Sequence, residues 1–237
     1  MTTLIQKIKD IDWAEITENM HQNGYTVIPG FLEDEECERL KTDYEKAGLY
    51  RKRVIMERHR FGLGEYKYYD YPLPDIIQNI RTHIYPHQAP IANTWFKALQ
   101  IDKQFSLSHN LLLDECHTNE QKKATPLILK YAKGGFKTLH QDLYGDIYFP
   151  IQTVLMLNQP GKDFTGGEFV LTQQIPRAQS KAIVLNPNKG DLLIFTTNFK
   201  PEKGAKDYYR VNMKHGVSEV KSGNRYTLGI IFHDALT

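Results

Sequence analysis

The spacing of apolar positions changes character part-way along the chain. In the first half, apolar residues recur at helical intervals. Trp13, Ile16 and Met20 share one face, with Asp12 and Glu15 placed as a capping-box variant and Gly24 as the stop. YTVIP then reads as a short strand. EDEECERLKTDYEKAG opens acidic, carries Leu40 and Tyr44 at helical spacing and ends on Gly48. Pro74 opens a further helix with the stripe Ile76, Ile77, Ile80 and Ile84, and Pro86 is predicted to end it. IANTWFKAL continues as helix, and the segment from Ser106 to Asn119 gives a weaker helical pattern.

From Pro126 the pattern becomes short β-rich runs: LILKYA, FKTLHQD, YFPIQTVLML, GEFVLTQ, KAIVL, DLLIFTT, RVNMKHGV and RYTLGIIFH. Between them lie Gly134-Gly135, Gly161, Gly166-Gly167, Asn186-Pro187, Gly190 and Gly223-Asn224, all turn chemistry. The expected fold is mainly β with an α-helical N-terminal half. Residues 126–237 form a double-stranded β-helix, or jelly-roll, core, and residues 1–125 pack helices against it within one structural domain.

Composition refines this picture only slightly. With 237 residues, 41% hydrophobic and 24% charged, the chain is long enough to bury a substantial core. A formal net charge of +2 is too weak to argue for nucleic acid by itself. Two cysteines, Cys37 and Cys116, do not form a zinc-binding pattern. MTTLIQKIKDIDW lacks the apolar stretch of a signal peptide, and no run is long enough to cross a membrane. The expectation is a soluble protein of a reducing compartment, the cytoplasm, without a membrane partner.

Candidate chemistry begins at LHQDLYG. On a strand, residues i and i+2 face the same way, so His140 and Asp142 would point at one place. A lone His-x-Asp is weak in a chain with nine histidines. His215, near the end of a late β-run, is the best third ligand, because strands distant in sequence face one another across a jelly roll. Two imidazoles and one carboxylate with open positions opposite form the facial arrangement of non-haem Fe(II) oxygenases. Arg225 begins the next run and would return to the same cavity, where its guanidinium suits a carboxylate. Thr227 shares its face and would add a hydroxyl.

The order LKYAKGGFKTLHQD, TVLMLN, GGEF, GDLLIF, HGV and RYTLGIIF resembles the 2-oxoglutarate/Fe(II)-dependent oxygenases. Within them it resembles bacterial proteins related to prolyl 4-hydroxylases and to repair dioxygenases of alkylated nucleic acids. LHQDLYG, DFTGGEFVLTQQ and TLGIIFHDA are most similar to a bacterial family named for oxygenation of damaged nucleic acids, and YKYYDYPLP also matches it. The resemblance covers residues 126 to 234. It implies Fe(II) held by His140, Asp142 and His215, 2-oxoglutarate held through its far carboxylate by Arg225, and dioxygen as oxidant. Tyr131 falls where repair dioxygenases place a tyrosine against the same co-substrate. Gly166 and Gly167 match a conformational glycine pair. Two positions depart from the repair enzymes: Ile231 stands where they have a second arginine, and Leu129 where they have asparagine.

Substrate contacts are sought in YRKRVIMERHRFG and GEYKYYDYPLP. Arg58 and Arg60, with Arg51, Lys52 and Arg53 nearby, and Tyr66 and Tyr68, with Tyr69 and Tyr71, would suit phosphate contact and base stacking. A solvated charge run followed by a hairpin whose tyrosines pack on the sheet fits the same residues. Nucleic acid, protein and small molecule all stay open as substrates. Lys200, Lys203 and Lys206 read as a solvated edge, His109 and His117 as surface residues, and His233-Asp234 as a structural or edge pair. Two other functions fit the motifs: a metal-, ligand- or nucleic-acid-binding module without turnover, and a metal-dependent hydrolase.

Overall fold

The computed structural model describes residues 3–142 and 145–237. Leu143 and Tyr144, within LHQDLYG, lie outside the described residues. Among the described residues, α1 (Leu4–Lys9) and α2 (Trp13–Asn23) lead to β1 (Tyr25–Ile28) and α3 (Asp34–Asp43). Strands β2 (Tyr50–Ile55), β3 (Gly62–Leu63) and β4 (Glu65–Tyr69) precede the long helix α4 (Asp75–Ala98) and α5 (His109–Thr118). The second half holds β5 (Leu127–Tyr131), β6 (Phe136–His140), β7 (Ile151–Met156), β8 (Phe164–Gly166), β9 (Phe169–Gln174) and β10 (Lys181–Leu185). It continues with β11 (Leu192–Thr196), β12 (Phe199–Lys203), β13 (Tyr208–Val217), β14 (Val220–Gly223) and β15 (Arg225–Ile230).

Among the described residues these strands build two large antiparallel sheets and a two-stranded one, β14-β8. The larger runs β1-β11-β7-β15-β5-β4-β2, and the smaller runs β10-β9-β13-β6-β3 with β12 paired to β13. Period-two alternation divides the large sheet between two tasks. Ile128, Leu155, Leu192, Ile194, Leu228 and Ile230 pack in one core with Ile77, Ile80, Ile84 and Trp95 of α4. Their sequence neighbours face the other way, where Leu193 and Phe195 meet Phe169, Leu171, Val211 and Met213 of the small sheet. The layers are therefore helices, large sheet and small sheet, with a space left between the sheets.

Two expectations need correcting here. Pro86 does not end its helix: α4 runs on to Ala98 with Pro86 and Pro90 inside it. A helix-interior proline costs about 3 kcal/mol. The buried stripe continues through Tyr85, Ala89, Ile91, Ala92, Trp95 and Phe96, and that packing against the sheet outweighs the loss. The first half is also more than a helical buttress. β1 pairs with β11, and β4 pairs with both β2 and β5, so the large sheet runs continuously across residue 125.

The C-terminal HDA segment is a buried polar centre. His233 and Asp234 are both buried, because the chain has left β15 and strand alternation no longer applies. Arg81 from α4 pairs with Asp234 at 2.7 Å and donates to the Ile231 and Phe232 carbonyls. His109, expected at the surface, is 2% exposed and contacts the Phe232 carbonyl at 2.8 Å. His117 is part-exposed and reaches Asp234 at 2.9 Å. Lys200 is likewise buried, with its ammonium on Glu202.

Burial, reinforced by the Arg81 charge, pushes both His109 and His233 down to about 4. The unfolded chain protonates them below about 6.5, while the folded chain keeps them neutral until about 4. Their contribution is therefore complete above pH 6.5 and falls as pH drops toward 4, by roughly 3 kcal/mol for each histidine. Urea unfolding between pH 7 and 4.5 should show this decline, and His109→Gln should make it shallower. Equal pH slopes for the two proteins contradict the assignment.

Candidate functional site

The space between the sheets is a cavity lined from both sides. The large sheet contributes Tyr66 and Tyr68 of β4, Leu127, Leu129 and Tyr131 of β5, and Arg225, Thr227 and Gly229 of β15. Register explains this selection: Arg225 pairs with Tyr131, Thr227 with Leu129 and Gly229 with Leu127, so every second residue faces inward together. Gln152, Val154 and Phe195 extend the same face. From the small sheet come Lys137, His140, Phe169, His215 and Val217, with Asp142 just beyond β6.

The β13–β6 ladder sets His215 opposite His140. Their rings lie 4.2 Å apart between centroids. Asp142 reaches both, with Oδ1 3.4 Å from His140 Nε2 and Oδ2 3.4 Å from His215 Nε2. One ligand atom from each of the three lies within 4.8 Å of the others, close enough to share one ion. His140 Nδ1 sits 2.8 Å from the Thr138 carbonyl, so it carries the proton and leaves Nε2 with its lone pair toward the cluster. His215 packs against Phe195 at 4.9 Å and stacks on Phe169, which fixes its ring. Burial opposes the charge on Asp142, but the neighbouring His140 and His215 imidazoles prevail and hold it well below the usual carboxylate range. Burial and the neighbouring His140 hold His215 below its ordinary value, which favours the neutral, ligating form. This donor set of two imidazoles and one carboxylate suits a divalent first-row metal.

Arg225 is 1% exposed. Its guanidinium lies 3.5 Å from Thr227 Oγ1 and 3.7 Å from the Met156 sulfur, and Nε has no partner. Among the described residues no carboxylate forms an ion pair with it. Burial pushes it down to about 10, and the Tyr131 ring lies 5.6 Å from the guanidinium carbon. The Tyr131 hydroxyl is buried without a partner and burial raises its pKa. Gly167 has a φ of +64°, and a Cβ there would stand 3.0 Å from Arg225 Cδ. The glycine thus gives the turn its left-handed residue and the arginine its room.

The expected substrate residues separate. Tyr66 and Tyr68 line the cavity edge to face, 5.3 Å apart. Arg58 and Arg60 are exposed on a turn after β2 and do not line the cavity. Arg51 covers the Tyr68 ring at 4.6 Å, and Arg53 pairs with Glu65. Tyr69 belongs to the helix-side core, and Tyr71 donates to Asp234. Three cavity features escaped the sequence reading. Lys137 turns inward because two residues of β6, Thr138 and Leu139, stand against one of β13, Gly216, a bulge that shifts its face. Phe169 and Phe195 flank His215, each inside an apolar strand run that carries no sign of a site. Gln152 did carry a signal, a polar residue inside the apolar run YFPIQTVLML.

A family described as "Oxygenase, catalysing oxidative methylation of damaged DNA" matches residues 64–235, most of the chain and all of the cavity's lining. The chain belongs to this oxygenase family. Two uncharacterised proteins from strains of Mycobacterium tuberculosis are each 39% identical to the oxygenase over 164 residues, covering 69% of it and 70% of their own length. Among solved structures, it is similar to a Pseudomonas putida prolyl-4-hydroxylase, with a TM-score of 0.53, 14% identity, and coverage of 92% and 97% of the two chains. A Burkholderia pseudomallei oxidoreductase of the 2OG-Fe(II) oxygenase family gives a TM-score of 0.52, 16% identity, and coverage of 95% and 94%. A Trichoplax adhaerens prolyl hydroxylase, solved with a hypoxia inducible factor peptide, gives a TM-score of 0.55, 13% identity, and coverage of 96% and 90%. At these identities the likeness concerns the fold.

Proposed function

We propose that the chain is a 2-oxoglutarate- and Fe(II)-dependent dioxygenase that hydroxylates, or oxidatively demethylates, its substrate within a double-stranded β-helix. Residues 126–237 supply most of this unit's core, and residues 1–125 add β1, β2 and β4 to its large sheet and pack helices on it. The observation that carries the reading is the buried Arg225 guanidinium, without a carboxylate partner among the described residues, in the same cavity as His140, Asp142 and His215. A buried cation without a counterion is costly, and an anionic ligand relieves that cost.

His140, Asp142 and His215 would hold Fe(II). Bound together, Fe(II) and 2-oxoglutarate supply the oxidising chemistry, in which dioxygen gives one oxygen atom to succinate, formed with carbon dioxide, and the other to the substrate. The chain's own residues position and shield. Arg225 and Thr227 take the far carboxylate of the co-substrate, and Tyr131 adds its free hydroxyl. Phe169 and Phe195 keep water from the back of His215. Tyr66, Tyr68 and Lys137 form the wall offered to the substrate, and the aromatic faces suit a planar group. Where the hydroxylated carbon bears a nitrogen, the C–N bond then breaks to give the N–H amine and release the carbon as an aldehyde, formaldehyde for a methyl group, so hydroxylation and demethylation share one mechanism. Alkylated DNA, in keeping with the family's description, is the first substrate to test, beside peptides and amino acids.

Charge-assisted hydrogen bonds contribute about 1.5–3 kcal/mol each. Arg225→Ala should therefore weaken 2-oxoglutarate binding by roughly 10- to 100-fold while leaving Mn(II) binding unchanged in anaerobic titration. Unchanged 2-oxoglutarate affinity refutes the role of Arg225.

A further inference from the structure

Among the described residues, four buried side chains lining the cavity have polar atoms without partners: Arg225 at Nε, Tyr131 at its hydroxyl, Gln152 at Nε2 and His215 at Nδ1, the last on the ring of a metal ligand. The first two serve the far carboxylate under the proposed function. Gln152 does not, since it stands at the other end of the cavity. It is 6% exposed and lies on β7 one step beyond the Thr153–Ile230 pair, alongside Ile231. Its other cross-strand partner is Phe195, whose ring lies 4.9 Å from the His215 ring. Gln152 therefore faces the cavity on the side of the metal ligands.

The spacing fits a ligand gripped at both ends. The Arg225 guanidinium reaches along β15 to Thr227. From Thr227 to the level of Ile231 is about 13 Å at a strand's rise per residue. A five-carbon dicarboxylate with a hydrogen bond at each end spans a comparable ~12 Å. Gly229 lies between, without a side chain to block the path. Ile231 and Val154 beside Gln152 have no polar side-chain atom, so the amide is the nearby large-sheet side chain able to donate a hydrogen bond there. Lys137 lies on the opposite sheet, its ammonium 4.5 Å from the Phe61 ring and 5.4 Å from Tyr66.

We infer that Gln152 is a specificity-determining residue whose amide N–H donates to the co-substrate carboxylate nearest the metal ligands. The cavity thus reads both ends of a 2-oxo dicarboxylate, Arg225 the far end and Gln152 the near one. The inference rests on the proposed function and is tested apart from it. Gln152→Leu, Gln152→Glu and Arg225→Ala are compared with the unaltered full-length protein, anaerobically and with Mn(II) in place of Fe(II).

Gln152→Leu should weaken 2-oxoglutarate binding by about tenfold, the scale of one lost hydrogen bond to a charged group. Gln152→Glu should weaken it further, because it sets like charges together. Neither should alter Mn(II) affinity. Because Nε2 is unpartnered without ligand, the ligand-free melting temperature should hold or rise in Gln152→Leu, whereas a structural amide would lower it. 4-Oxopentanoate keeps the far carboxylate but has a methyl group in place of the near one. Its weak affinity should be the same in Gln152→Leu and the unaltered protein. If the unaltered protein binds no 2-oxoglutarate, the proposed function falls and this inference with it. If Arg225→Ala weakens binding and both Gln152 variants leave it unchanged, the inference alone is overturned.

Discussion

His215→Ala should lower Fe(II)-dependent turnover by roughly three orders of magnitude or more, about 4 kcal/mol of barrier. His140 ends β6 and Asp142 follows it by two residues, and two ligands hold a divalent ion far less firmly than three. His215 closes the set from the neighbouring strand, with its ring fixed by Phe169 and Phe195. The variant should therefore lose Mn(II) affinity as well as activity. His215→Gln, which keeps most of the volume, separates lost ligation from disturbed packing: its melting temperature should stay near that of the unaltered protein while metal binding is impaired. Retained turnover in either variant contradicts the assignment of His215.

Asp234→Ala should be the most damaging single change to stability away from the cavity. Asp234 and Arg81 have fully buried side chains 2.7 Å apart. Tyr71 donates to both carboxylate oxygens at 3.0 Å, and His117 stands at 2.9 Å. Removing the carboxylate leaves the Arg81 charge uncompensated in the core, a loss of about 3–5 kcal/mol. For a chain of this length that lowers the melting temperature by on the order of 10 °C. Replacing Arg81 by Met and Asp234 by Leu together should cost less than Asp234→Ala alone, because no buried charge is stranded. Equal or greater loss in the double variant goes against a buried ion pair as the source of the effect.

Much of the cavity was legible because strand alternation is a local rule. Once LILKY and RYTLGI were read as strands, Tyr131, Arg225 and Thr227 had to share a face with the residues opposite them. His215 was legible as a late-strand ligand, although it reaches the site from the strand beside that of His140 in the same sheet and not from across the cavity. Local rules failed where tertiary packing overrode them. The buried stripe on α4 carries the helix through Pro86. A bulge reverses the face of Lys137, and no residue type in FKTLH announces it. His109 looks like a surface residue, and His233-Asp234 only like a structural or edge pair, until Arg81, far away in sequence, gives them a common centre. Tyr66 and Tyr68 reach the cavity because β4 pairs with β5, a contact across most of the first half's helical sequence. The exposed Arg58 and Arg60, adjacent in sequence to that hairpin, do not follow it inward.

The most direct test is succinate formation from 2-oxoglutarate by the purified protein, with Fe(II) and dioxygen supplied or withheld. The account predicts slow succinate release without a primary substrate, only when both are present, and none from a variant in which His140, Asp142 and His215 are all alanine. Succinate formed equally by that triple variant, or no consumption of 2-oxoglutarate by the unaltered protein under any of these conditions, would contradict it.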